Sequence, residues 1–339
     1  MTMERFKLSH IWQLILPVIM KCWALSGAAV FTFLLVYWAY GGFLALSLLG
    51  FAITGIFYHM QDALLYHPGD TFQNRLFVHT PTLLSLPYEN IFIRSIDGTL
   101  IHMYFIRQPE DKASHVPTIV FLHGNAGNVG HRLRNASGLY HNLHCNILML
   151  EYRGYGLSKG SPSEQGLCMD ARAAIDFLST RSDVNHKMVV VFGRSLGGAV
   201  AIDLVARPEY SARIWCVVLE NTFTSIPDMA YTLIHSKFIK HLPLWIFKNK
   251  FMSKRKVPHV QIPVLFISGQ ADTLVPPAMM RELHKLCPSP HKQLVSVEAG
   301  THNDTWACPG YYASIATFLT SVHAMQPNPP RPPSCVLAV

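Results

Sequence analysis

Three patterns of apolar and polar positions succeed one another along the chain. From Cys22 to Tyr58 no Asp, Glu, Lys or Arg interrupts a run of apolar and small residues, well beyond the ~20 that cross a bilayer as a helix. From Tyr88 to Ser95 and from Leu100 to Arg107 apolar and polar positions alternate around Asp97-Gly98, which predicts a hairpin. Thereafter short apolar runs recur at Thr118 to Leu122, Asn146 to Glu151, Met188 to Phe192, Cys216 to Leu219, Val264 to Ser268 and Leu294 to Glu298, separated by helical stretches such as Glu164 to Thr180. Buried strands alternating with helices predict an α/β fold with a mostly parallel sheet covered by helices on both faces.

The N-terminal run divides the chain. A signal peptide has an apolar core of only about 7 to 15 residues, so an uncleaved anchor is the better reading. Trp38 and Tyr40 at one end and Tyr58 at the other resemble interfacial belts and set the expected span at 37–57. Residues 1–36 then form a cytoplasmic and pre-membrane segment, 58–87 a linker, 88–325 the catalytic domain and 326–339 a proline-rich tail. Arg5, Lys7 and Lys21 precede the run, while Asp62 and Asp70 come after it with Arg75. The positive-inside rule therefore predicts a single-pass type II protein with its domain lumenal or extracellular. A second topology pairs the apolar Ile11 to Met20 with the later run, bent near Ser47 or Gly50, and returns the domain to the cytoplasm; Lys21 inside the first crossing opposes it.

The chemistry is carried by residues just past the carboxyl ends of the strands. Gly193-Arg194-Ser195-Leu196-Gly197 lies between an apolar strand and a small-residue run from Gly197 to Ala201. Gly193, Gly197 and Gly198 suit a sharp strand-to-helix turn that lifts one hydroxyl clear of the sheet, the nucleophile elbow of a serine hydrolase. Asp272 follows the strand ending at Ser268, and His302 follows the strand ending near Glu298. The order Ser, Asp, His and the placement of all three at carboxyl ends of strands fit an α/β-hydrolase fold. Ser195 is the expected nucleophile, His302 its base, and Asp272 the group that orients His302. Glu220 is a second position from which this fold can supply the acid. His123-Gly124-Asn125-Ala126-Gly127-Asn128 succeeds another strand as a small-residue loop. The N–H of Leu196 and that of Asn125 or Ala126 are the expected oxyanion donors, while His123 reads as a loop-ordering residue.

Composition narrows the classes. A mean hydropathy of +0.22 with 14% charged residues is too apolar for a fully soluble enzyme. The seven cysteines are scattered, without C-x-x-C spacing, so neither a zinc site nor a disulfide scaffold is expected; Cys145 and Cys216 read as core. The eighteen histidines show no metal-ligand spacing, and no P-loop or dinucleotide fingerprint is present. No metal and no cofactor is expected, nor nucleic acid nor an obligate protein partner. Asn135-Ala136-Ser137 and Asn303-Asp304-Thr305 are glycosylation sequons, the second beside the expected base, where a glycan would crowd the site.

One insertion stands out. Between the strands ending at Leu219 and starting at Val264, residues 221–260 have the length of a lid. They hold Lys237, Lys240, Lys248, Lys250, Lys254, Arg255 and Lys256 against Asp228, a net +6 of the chain's formal +8. Interleaved with Phe238, Trp245, Ile246, Phe247 and Phe251, these charges suit anionic membrane lipids or, equally, a solvated face.

Taken together, the His123 to Asn128 loop, Tyr152-Arg153-Gly154-Tyr155-Gly156, Gly193 to Gly198, Gly300 to Thr305 and Leu64-Leu65-Tyr66 after an anchor make the chain resemble the α/β-hydrolase domain-containing serine hydrolases. The resemblance spans nearly the whole chain outside the tail. It implies a type II membrane enzyme with Ser195, Asp272 and His302 as its relay. Because the broader group includes protein depalmitoylases, it also implies an acyl-chain substrate, an acylated protein or a lipid. A lipid or monoacylglycerol lipase remains the alternative enzyme, and a non-catalytic membrane scaffold the alternative of another class.

Overall fold

The structure, a computed structural model, describes residues 23–69, 77–235, 239 and 241–325. Expectations resting on Arg5, Lys7, Lys21, Asp70, Arg75, Ile11 to Met20, Lys237, Phe238, Lys240 and the tail lie outside the described residues. The chain divides into two compact units, one holding the residues up to Tyr66 with Pro243–Asn249, the other holding His67–Leu242 with the residues from Lys250 onward.

The first unit contains two helices, α1 (Trp23–Tyr40) and α2 (Gly42–Leu65). The break falls at Gly41, whose φ of 83° a β-carbon would strain. The boundaries differ from the span expected at 37–57: the Gly41-Gly42 pair ends one helix and starts the next, and among the described residues α2 is the one helix long and apolar enough to cross a membrane. The helix passes unbroken through Ser47 and Gly50, where Ser47 and Thr54 hydroxyls donate back to the carbonyls of Phe43 and Gly50 at 2.9 and 2.8 Å, so the bend that the second topology requires there is absent. Nothing in His59 to Leu65 breaks a helix, and α2 consumes the start of the expected 58–87 linker before Pro68 disfavours further turns.

The second unit is built on one eight-stranded sheet, in spatial order β1-β2-β4-β3-β5-β6-β7-β8. Its strands are β1 (Tyr88–Arg94), β2 (Leu100–Ile106), β3 (Thr118–Leu122), β4 (Asn146–Glu151), β5 (Val189–Arg194), β6 (Cys216–Glu220), β7 (Val264–Gly269) and β8 (Lys292–Val297). β2 runs antiparallel to both neighbours, and every pairing from β4 to β8 is parallel. β3 to β6 are buried along their whole length, as strands covered on both faces must be.

Side chains of one parity on the strands, including Phe121, Met149, Phe192, Val218 and Ile267, pack with helices α3 (Leu133–Leu143) and α8 (Tyr311–Ala324) into one core. The Phe121 and Phe192 rings stack at 4.9 Å. The opposite face is covered by α4 (Glu164–Ser179), α5 (Leu196–Val205) and α7 (Pro277–Leu286). Ser163 caps α4 by accepting from the Gly166 N–H at 3.1 Å. Cys145 and Cys216 are core residues as expected, and burial pushes both thiols up.

Two expectations change. Asn135 is 2% exposed on α3, among Leu133, Ala136 and Leu139 in the core, so the folded protein has no room for a glycan there. Three of the five described basic residues of the lid are paired: Lys248 meets Asp62, Lys254 meets Asp228 at 2.7 Å, and Lys256 meets Asp203 at 2.8 Å and Glu164 at 3.4 Å. Three of those acids lie outside 221–260, which is why counting within the insertion overstated its free charge. The segment itself carries α6 (Ile226–Ile234), capped by Ser225.

His102 on β2 is fully buried, with Nε2 2.6 Å from Asn90 Oδ1, and burial lowers its pKa from 6.5 to about 4. Between those values the unfolded chain binds a proton that the folded chain does not, so stability falls as the pH drops through this window. Urea titrations of the full-length protein in detergent are expected to lose about 2 kcal/mol more between pH 7.5 and 5 for wild type than for His102→Gln.

Candidate active site

The register sets the strands' carboxyl ends along one edge. Leu122 pairs with Gly193, Arg194 with Glu220, and Gly269 with Val297. The chain leaves β3 toward β4 on one side and leaves β5 toward β6 on the other, so β3 and β5 flank the point where the strand order reverses, the usual ligand crevice of an open α/β sheet.

Ser195 sits there at φ 54°, ψ −118°, a strained conformation between β5 and α5. The turn survives because backbone meets backbone. A β-carbon at Gly197 would run into the Leu122 carbonyl, and one at Gly193 into the Gly197 carbonyl and, at 2.8 Å, the Ala201 methyl. Ser195 also donates its N–H to the Glu220 carbonyl at 2.9 Å. Leu196 is the first residue of α5, so its N–H has no partner within the helix and stands at the positive end of the helix dipole.

The sequence-predicted trio comes together. His302 Nε2 is 3.0 Å from Ser195 Oγ, and His302 Nδ1 is 2.7 Å from Asp272 Oδ2. With the proton on Nδ1, that nitrogen donates to the carboxylate and leaves Nε2 to accept from the serine hydroxyl. Asp272 is itself fixed, its Oδ1 accepting from the N–H groups of Leu274 and Val275 at 2.9 and 2.8 Å. Ser195 and Asp272 are 7% and 6% exposed. Such a chain can move a proton from a hydroxyl to an imidazole while a buried carboxylate offsets the charge that forms.

Glu220, the competing acid, points elsewhere. Its Oε2 accepts from the Tyr311 hydroxyl at 2.6 Å and its Oε1 lies 3.6 Å from Arg194 Nε. Burial, with the charge of Glu220 added, pushes Tyr311 far above its ordinary range, so the hydroxyl stays a donor.

The loop after β3 lies against the serine, with Gly124 placed so that a β-carbon there would be 3.5 Å from Ser195 Cβ. It is held by its carbonyls. Asn125 O accepts from the His67 N–H at 3.0 Å and the Tyr155 hydroxyl at 2.9 Å, and Ala126 O from Arg132 at 2.5 Å. The Gly127 N–H donates to His67 O at 2.9 Å, completing a parallel bridge between His67 and Ala126. His123 is buried, Nδ1 2.6 Å from the Gly124 carbonyl and Nε2 3.2 Å from Glu151 Oε1, which agrees with a loop-ordering part. Asn303 is exposed next to His302.

Four residues near the site carried no sequence expectation: His67, Tyr155, Arg194 and Asn221. Arg194 donates to the His302 carbonyl at 2.9 Å and to Asn303 Oδ1 at 3.3 Å. Asn221 donates to Thr301 O at 3.1 Å and Thr305 Oγ1 at 3.0 Å, and accepts from the Gly269 N–H at 2.8 Å. These two side chains, from the ends of β5 and β6, fix the loop carrying His302. No local signal marks them, because the contacts join positions about 80 to 109 apart in the chain.

The chain is similar to known proteins over most of its length. Residues 117–249 match the family model described as alpha/beta hydrolase fold. Protein bem46 of Schizosaccharomyces pombe is 39% identical over 286 residues, covering 83% of this chain and 92% of its own. A Saccharomyces cerevisiae relative described as the membrane protein YNL320W is 34% identical, covering 82% of this chain and 94% of its own. Among solved structures, the Pyrococcus furiosus esterase Pf2001 superposes with a TM-score of 0.59 at 21% identity, over 73% of this chain and 94% of its own.

Two substitutions separate the parts of this arrangement. Asp272→Asn is expected to lower kcat for a p-nitrophenyl ester about 10⁴-fold, as loss of the orienting acid does. Glu220→Gln keeps the 195–272–302 contacts and is expected to cost about tenfold by loosening Arg194. The reverse ranking would move the acid to Glu220.

Proposed function

This chain belongs to the α/β-hydrolase family, and on that footing we propose that it is a membrane-anchored serine hydrolase that cleaves acyl esters or thioesters through an acyl-enzyme. The observation that carries the proposal is the imidazole of His302 within hydrogen-bond reach of both Ser195 Oγ and Asp272 Oδ2. Ser195 Oγ attacks the acyl carbonyl as His302 Nε2 takes its proton, and Asp272 stabilises the imidazolium. The N–H of Leu196 and that of Asn125 or Ala126 receive the oxyanion, each such donor being worth about 3 to 4 kcal/mol in the transition state. His302 returns the proton to the departing alcohol or thiol, and the same steps with water release the acid. The route uses no cofactor.

A long acyl chain is the substrate class we favour, because an enzyme held at a bilayer by α2 meets acyl chains at high local concentration. An acylated protein and a glycerolipid differ only in the leaving group. A fluorophosphonate probe is expected to label the wild type and leave Ser195→Ala unlabelled, with kcat in that variant down about 10⁶-fold. Equal labelling of both would remove Ser195 from the mechanism. Palmitoyl-thioester and monoacylglycerol substrates, compared on the anchored protein by kcat/KM, then choose between thioesterase and lipase.

For topology we infer a type II arrangement from the charges that precede the apolar run. The break at Gly41 between two apolar helices gives the opposite arrangement a specific basis: the 18 residues of α1 span ~27 Å, close to a bilayer core. Protease added to sealed microsomes is expected to leave the catalytic unit intact until detergent is added. Digestion before detergent would make the helices a hairpin and the enzyme cytoplasmic.

A further inference from the structure

The excursion at residues 243–249 leaves the lid to join the unit formed by the apolar helices. It is fastened to the polar end of α2 by side chains that match it group for group. Gln61 Nε2 donates to the Ile246 carbonyl at 2.6 Å and Gln61 Oε1 accepts from the Lys248 N–H at 2.8 Å, so one amide serves the main chain as a neighbouring strand would. Asp62 takes Lys248 Nζ on one oxygen and Asn249 Nδ2, at 2.6 Å, on the other. The Tyr66 hydroxyl donates to Asn249 Oδ1 at 2.9 Å, and Asn249 is 3% exposed. The short turn Leu244–Ile246 held in this way buries Phe247 and leaves Trp245 68% exposed.

Position along the helix gives that exposed indole a meaning. From Gly42 to Gln61 the rise of an α-helix amounts to ~29 Å, the thickness of a hydrocarbon core. With Gly42 at one boundary, Gln61 and Asp62 stand at the other, below the exposed rings of Phe43, Phe51 and Phe57. Trp245 adjoins Ile246, whose carbonyl Gln61 holds, and so shares that depth. Tryptophan prefers this level because its ring is apolar and its N–H seeks a polar partner. Lys248 and Asp62 neutralise each other, so the segment brings no net charge from this pair and suits zwitterionic lipid rather than an anionic headgroup.

We propose that residues 243–249 are an interfacial element of the protein, with Trp245 seated among the lipid headgroups of the bilayer that α2 crosses. The proposal rests on reading α2 as a membrane crossing. Leu242 and Lys250, on either side of the segment, belong to the catalytic unit.

The test uses the full-length protein in phosphatidylcholine nanodiscs whose acyl chains carry bromine either near the headgroup or near the chain end. Wild-type minus Trp245→Phe fluorescence isolates the one indole, and a conservative change at an exposed site leaves the fold in place. The Trp245 component is expected to be lost with shallow bromine, kept with deep bromine, and indifferent to added phosphatidylserine or salt. Gln61→Ala, which frees the segment, is expected to restore part of the lost signal. Trp23 and Trp38 in α1 report separately on embedding of the helices. Quenching of the remaining tryptophans with none of Trp245 overturns the interfacial element and spares the anchor. Absence of all quenching overturns both. Quenching of Trp245 that appears only with phosphatidylserine overturns the zwitterionic assignment in favour of an anionic headgroup.

Discussion

The closeness with which the first turn of α5 is pressed against the end of β3 governs the rest of the site. The Leu122 carbonyl occupies the space a side chain at position 197 would need, and Gly193 meets the same turn from below. Main chain packed on main chain leaves Ser195 one conformation, with a positive φ that an L-residue adopts only under constraint. The same contact sets the loop after β3 beside the serine, so Ser195 and that loop are placed by a single steric fact. The strain is held by the surrounding sheet, whose central strands are fully buried and which therefore has no easy way to relax.

Much of this was legible in the sequence because the relevant signals are local. Continuous apolar runs gave strands whose ends fall within a residue or two of those observed, and the glycines around Ser195 mark a turn that few other residues permit. Asp272 and His302 were readable because each comes just after such a strand. What lay beyond reach depends on register. Nothing local says that Arg194 and Asn221 converge on the carbonyls of the His302 loop; that comes from β5 lying beside β6 and β6 beside β7. The choice between Asp272 and Glu220 was open for the same reason, and the partnership of Glu220 with Tyr311 joins residues 91 positions apart.

The insertion shows how charge counting fails. Within 221–260 only Asp228 opposes the basic residues, yet the partners of Lys248 and Lys256 sit on α2, α4 and α5, elements that are distant in sequence. The helix boundary erred differently. Aromatic residues at Trp38 and Tyr40 marked an interface in the sequence, but Gly41-Gly42 controls the backbone and places those rings on the preceding helix. Backbone permissiveness outranked side-chain preference there, as it commonly does where glycine pairs occur.

The bridge between His67 and Ala126 bears on how a detergent-free version of this enzyme should be cut. Strand pattern alone invites a truncation at residue 88, where the sheet begins. Such a fragment would discard the only stretch among the described residues that pairs main chain to main chain with the 125–127 loop from outside the sheet, and with it the brace on one proposed oxyanion donor. A soluble version should therefore start ahead of His67, keeping two hydrogen bonds that contribute nothing to the hydrophobic core and yet hold a reacting geometry in place.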